Sequence, residues 1–199
     1  MAPLPALPDP LPASTGSLAA HLTVARSHAD GSAHLPAVYA ALLHHPALAR
    51  SVAALGEQIR FQGVLPDDVR ELVVLRYSAR FGYDYEWAHH QRPAALAGIR
   101  PETLALLGAA TGPQFQSGPD GTTDPLVIPA GLRSDQQAAI RATDAVCEGE
   151  EIPADVQDLL IAAHGVAGVV ELVVTCGLYA IMGYTVRSFD VQLEDRLQS

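Results

Sequence analysis

Apolar residues along this chain return at intervals of three and four far more often than they alternate, so the pattern predicts helices punctuated by proline and glycine. The expected helices cover residues 34–45 and 47–62 around Pro46, then 66–80, 84–98, 101–107, 134–148, 153–164 and 166–189. Leu65-Pro66-Asp67-Asp68 places a proline in a first turn and acids at the positive end of the helix dipole. Gly82 should stop that helix, Gly98 stands where a C-terminal glycine belongs, and Ser134-Asp135-Gln136-Gln137 reads as a capping box. The stretch 166–189 is apolar nearly all round, which places it in the core or in a subunit interface. Two segments break the pattern. Pro3, Pro5, Pro8, Pro10 and Pro12 open an extended polyproline arm, assigned to 1–33. Residues 111–133, rich in proline and glycine, read as a long loop of the kind that forms a lid or a wrapping arm. The expected organisation is therefore that arm followed by one all-α domain over 34–199.

Composition narrows the function classes. With 199 residues, 49% hydrophobic and 17% charged, the chain is large and apolar enough for one compact core, which excludes disorder for most of it. A formal net charge of -10 with no basic run argues against nucleic acid as a partner. Cys147 and Cys176 form no CxxC and have no histidines at zinc-finger spacing, so neither a disulfide framework nor a metal site is expected. They read as buried thiols of a reducing, cytoplasmic compartment. No signal-peptide pattern opens the chain. The longest apolar stretch, 166–182, carries Glu171 and falls short of the roughly 20 residues that a bilayer requires, so no membrane span is expected. One echo is visible: Glu71-Leu72-Val73-Val74 followed by Gly82-Tyr83, and Glu171-Leu172-Val173-Val174 followed by Gly183-Tyr184. Duplication of a helical unit and coincidence in a Leu/Val-rich chain are both open readings.

The chemistry concentrates in Tyr83-Asp84-Tyr85-Glu86-Trp87-Ala88-His89-His90. On a helix, Glu86 and His90 are four apart and share a face, so the carboxylate can orient the imidazole and raise its pKa while the imidazole exchanges a proton near neutral pH. The bland reading of such a spacing is a solvated pair. Glu71, on the preceding helix among apolar neighbours, supplies a second acid, and a short connection should pack the two helices antiparallel so that Glu71, Glu86 and His90 converge. Pro93 removes a helical hydrogen bond beside the pair. Tyr83, Trp87 and Arg76 are the candidate substrate contacts, with core packing and a solvated face as their competing readings.

Arg70-Glu71-Leu72, then Tyr83 to Trp87 with His90, Ala94 and Gly98, resembles the core helical hairpin of the carboxymuconolactone decarboxylase family, within the alkylhydroperoxidase D-like superfamily. The resemblance extends over about 36–190 and implies an alkylhydroperoxidase D-like helical bundle that assembles as a homo-oligomer, a trimer or hexamer. In the peroxidase branch the hairpin carries a CxxC, a following His and an upstream Glu; here those positions hold Tyr83 and Glu86, His90 and Glu71. Both redox thiols are replaced while the proton-relay members remain. The decarboxylase branch resembles this chain in its Glu86 and His90. The resulting expectation is cofactor-free, metal-free acid/base chemistry, decarboxylation or isomerisation, on a small carboxylated or carbonyl molecule. His90 would be the acid/base, Glu86 its orienting carboxylate with a consequently raised His90 pKa, and Glu71 a relay. The rivals are a peroxidase, or its relic, working through Cys147 or Cys176, and a non-catalytic oligomeric scaffold.

Overall fold

The computed structural model describes residues 4–30, 34–108, 128–194 and 197. Among them are eight helices and no strand: α1 (Ala13–Asp30), α2 (Ala37–Leu42), α3 (Pro46–Gln62), α4 (Asp67–Phe81), α5 (Asp84–Leu96), α6 (Pro101–Gly108), α7 (Ser134–Glu148) and α8 (Ala154–Ser188). The helix starts and stops follow local chemistry. Pro46 occupies the first turn of α3, and Asp67 and Asp68 that of α4. The Arg133 N–H donates to Gln136 Oε1 at the start of α7. Gly82, at φ 60° and ψ 46°, ends α4 in the left-handed region that other residues enter at a cost.

One expectation needs correction. The arm assigned to 1–33 is extended only at its proline-rich beginning. From Ala13 the prolines cease, and an Ala- and Leu-bearing run forms α1, with Leu18 and Leu22 buried. The expected separation of 153–164 from 166–189 is present within α8, at Gly165, whose φ 71° and ψ 174° are open to glycine alone. The loop assigned to 111–133 falls outside the described residues as far as 127.

The helix buried on all sides is α4, where every residue from 69 to 79 is hidden. It packs against α7 and α8 through Val69, Val73, Tyr77, Ala142, Leu160 and Leu172, and against α5, α6 and α7 through Leu72, Leu75, Ala94, Leu107 and Ile140. A second cluster joins α1, α2, α3, α5 and α8 through Leu22, Tyr39, Ile59, Tyr85 and Leu178. The apolar second half of α8 is not central in the single chain: it leaves Val166, Val170, Val173, Ile181 and Tyr184 exposed. Their spacing marks one stripe along the helix. Glu171, the echo of Glu71, does different work, accepting the Val64 and Leu65 N–H groups at 2.6 and 3.2 Å and so pinning the approach to α4.

Candidate active site

The turn at Gly82 folds α5 back along α4, and this antiparallel hairpin brings Glu71 and His90, nineteen positions apart, to 2.7 Å between Oε2 and Nδ1. On its other side His90 Nε2 lies 2.8 Å from the Tyr179 hydroxyl, carried by α8, with the two rings edge-on at 5.1 Å. An ionised carboxylate only accepts, so Nδ1–H donates to Glu71 and Nε2 is left to accept the Tyr179 O–H. The charge states agree with that polarity. Burial pushes His90 downward against the pull of Glu71, and the net direction is down, favouring neutral imidazole. For Glu71 burial raises the pKa, but His90, Arg70 and Arg60 together outweigh it and hold the carboxyl below its ordinary value. The hydrogen-bonded line is therefore Glu71 carboxylate, neutral His90, Tyr179 phenol.

This overturns the expected pairing. Glu86 shares a helix face with His90, yet Glu71 takes the imidazole, and neither Glu86 oxygen has a hydrogen-bond partner on any other described residue. Only 3% exposed, Glu86 is pushed up to about 7 by burial, against the smaller opposing pull of its own backbone N–H, then of His89 and Arg187. The expected rise of His90 is likewise corrected, since desolvation exceeds the attraction of one carboxylate.

Glu71, Glu86, His90 and Tyr179 all line one partly enclosed cavity of about 90 Å³. Its walls are Pro36, Val38 and Tyr39 from the α2 region, Ile59 from α3, and Leu178 and Met182 from α8. Arg60 and Arg70 stand where this cavity meets a shallower one outside it, rimmed by Phe61 and Leu96. Arg70 is held by Asp67 at 2.9 Å and Glu71 at 3.4 Å. The far wall is tied to the C-terminal segment. Glu194 accepts the Ala37 N–H at 2.8 Å and the Tyr85 hydroxyl at 2.9 Å, and faces His89 Nε2 at 3.2 Å.

The three expected substrate contacts do not line this cavity. Arg76 is fully buried and makes a two-pronged pair with Asp144 of α7, both contacts at 2.7 Å. Tyr83 is a core residue: its ring packs near Phe81 and lies under the Arg187 guanidinium, and it crosses α8 so closely that a β-carbon on Gly183 would stand 2.1 Å from it. Trp87 turns to the opposite side of α5, against the cluster around Leu72 and Ile140. Tyr179 was the residue missed, because nothing in local spacing links position 179 to position 90; one of two phenols in an apolar helix, with Tyr184, was the available signal. Cys176 belongs to the core between α4, α7 and α8, and Cys147 packs against it. Burial pushes both thiols up, Cys176 to about 12. Among the described residues no group of three or more His, Cys, Asp or Glu could hold a metal ion.

Residues 46–114 match the sequence profile of the Carboxymuconolactone decarboxylase family. No curated protein matches the chain by sequence. Among solved structures, an alkylhydroperoxidase AhpD core, an uncharacterized peroxidase-related protein from Ralstonia eutropha JMP134, superposes with a TM-score of 0.72 at 16% identity, covering 98% of this chain and 93% of that one. The debrominase Bmp8 in complex with 2,3,4-tribromopyrrole superposes with a TM-score of 0.67, also at 16% identity, covering 95% of this chain and 92% of that one. At that identity the likeness is one of fold.

Proposed function

We propose that this chain is a member of the carboxymuconolactone decarboxylase family, whose profile its residues 46–114 match, and that it catalyses cofactor-free proton transfer, decarboxylation or isomerisation, on a small carbonyl or carboxylated molecule. The observation that carries this reading is Glu86, a buried carboxyl with no hydrogen-bond partner on any other described residue, in the same cavity as the Glu71–His90–Tyr179 line, where burial pushes its pKa up to about 7. A proton exchanger works best when its pKa lies near the operating pH, and an apolar wall is how a carboxyl is brought there. Structural carboxyls at such depth are ordinarily paired, so an unpaired one facing a cavity marks a group kept for a substrate. The roles differ from those read from spacing: Glu71 orients His90, and Glu86 acts by itself.

In a decarboxylation the bond from the substrate carbon to its carboxylate breaks, and the electron pair stays on that carbon as an enolate. Glu86 gives its proton to the carbon, carbon dioxide leaves, and water returns a proton to Glu86. In an isomerisation the proton removed from one carbon and the proton delivered to another pass through the two sides of the cavity. Arg60 and Arg70 at the mouth favour a substrate with negative charge at one end. Thiol-based peroxide chemistry has no support from the position of Cys147 and Cys176, which line neither cavity.

A panel of small β-keto acids and unsaturated γ-lactones, followed by carbon dioxide release and ultraviolet absorbance, tests the reading. The wild-type protein should turn over at least one class, and Glu86→Gln should reduce that turnover by about a hundredfold. Equal turnover in the two proteins would remove Glu86 from the chemistry.

A further inference from the structure

Both ring nitrogens of His90 are engaged within the fold. Nδ1 is given to Glu71 at 2.7 Å and Nε2 to Tyr179 at 2.8 Å, and each contact has the length of a firm hydrogen bond. Tyr179 lines the cavity beside His90, and its hydroxyl occupies the Nε2 that would otherwise serve a substrate. We propose that Tyr179 is the catalytic base of this site, a phenol activated by His90 as Glu71 holds the imidazole, and that His90 acts on substrate only through it. The proposal rests on the acid/base reading above and names the group that touches the substrate.

The arrangement has the logic of a nucleophile–histidine–carboxylate triad with a phenol in the terminal place. The carboxylate fixes the tautomer, the neutral imidazole offers a lone pair, and the hydroxyl is aimed at that lone pair. When an acidic C–H or O–H of the substrate approaches, its bond to hydrogen breaks and the proton forms a bond to the Tyr179 oxygen. The original phenolic proton passes to His90 Nε2, and the electron pair stays on the substrate as an enolate or phenolate. The imidazolium produced lies between Glu71 and Tyr179, where the Glu71 carboxylate stabilises it. Glu86, from the first turn of α5, can then protonate the substrate at a second atom, and the balance is restored when His90 returns its proton through Tyr179 to solvent or product. With Glu71 ionised and accepting from Nδ1–H, Nε2 is the acceptor of the line, so the line takes protons from the cavity and Glu86 supplies them.

Placement explains why the phenol comes from α8. Tyr179 lies between Leu178 and Met182 on the same cavity wall, and His90 supplies the acceptor that its part-buried hydroxyl requires.

The test uses the full chain and a probe whose ionisation is visible. 4-Nitrophenol is added below its own pKa, where it is neutral in solution, and the absorbance band of 4-nitrophenolate is recorded with wild type, Tyr179→Phe and His90→Gln. The expected result is protein-dependent ionisation of the probe with wild type, reduced about tenfold or more in both variants, with circular dichroism and unfolding cooperativity retained. Wild-type spectra without ionised probe, or undiminished ionisation in Tyr179→Phe, would overturn the proposal. In a lactone isomerisation assay, 3-fluorotyrosine at position 179, a more acidic phenol, should move the pH profile to lower pH; a merely structural tyrosine would leave it in place. Lactone turnover without probe ionisation would defeat the Tyr179 proposal and leave the acid/base reading intact, whereas probe ionisation without turnover of any lactone or keto acid would do the reverse.

Discussion

Glu86→Gln should stabilise the protein at about pH 8 and leave its stability nearly unchanged at about pH 4. The wild-type carboxyl is 3% exposed, and burial moves it from 4.5 up to about 7. When the folded pKa exceeds the unfolded one, the folded chain holds more protons between the two values, and stability falls as pH rises through that interval. The favourable contribution is therefore complete below the unfolded pKa and gone above the folded one. A gap of roughly 2.5 pH units corresponds to about 3 kcal/mol. Glutamine has the shape of the neutral acid and cannot ionise, so it behaves as a permanent copy of the low-pH state. Glu71 and His90 also titrate, but they do so in both proteins and largely cancel in the difference. Urea unfolding at one fixed protein concentration, across this pH range, should show the variant's advantage growing from near zero to about 3 kcal/mol. An advantage that does not change with pH would mean that Glu86 is already ionised in the fold, and the reasoning would fail.

Asp144→Ala should cost about 3–5 kcal/mol in the same assay, because it strips the two-pronged carboxylate from a guanidinium with no exposure to solvent. Light scattering at micromolar concentration should give an oligomer, with the exposed apolar stripe of α8 covered by a second copy. By length and composition that helix could also cross a membrane. A monomer that floats with lipid vesicles would contradict the oligomer. Peroxide consumption with a thiol reductant should be absent in wild type; turnover that disappears in a Cys147→Ser/Cys176→Ser double variant would contradict the placement of both thiols in the core.

The helical class and the hairpin were legible because their signals are local. Gly82, Pro66 with its two acids, and the 134–137 cap each act within a turn of where they stand in the sequence. The identity of the central helix was not legible, because α4 hides Arg70, Glu71 and Arg76, and charged residues read as surface until their partners are known. Asp144 lies 68 positions from Arg76, beyond the reach of any spacing rule. The site shows the same division. Glu71, Glu86 and His90 could be gathered from one hairpin, but spacing paired the wrong two. Position along a helix gives a shared face, whereas the choice of hydrogen-bond partner depends on the helix packed opposite. Tyr179 joins from a helix 89 positions away, and Trp87, Tyr83 and Arg76 were drawn toward the site by residue type alone.

The central claim, that this cavity moves protons on and off a small carbonyl compound, is tested most directly by incubating α-angelica lactone, a small enol lactone, with the protein in deuterated water and following its ring protons by nuclear magnetic resonance. The account predicts deuterium incorporation and double-bond migration catalysed by wild type and reduced about a hundredfold in Glu86→Gln and in His90→Ala. Exchange at the uncatalysed rate with wild type, or exchange undiminished in both variants, would contradict it.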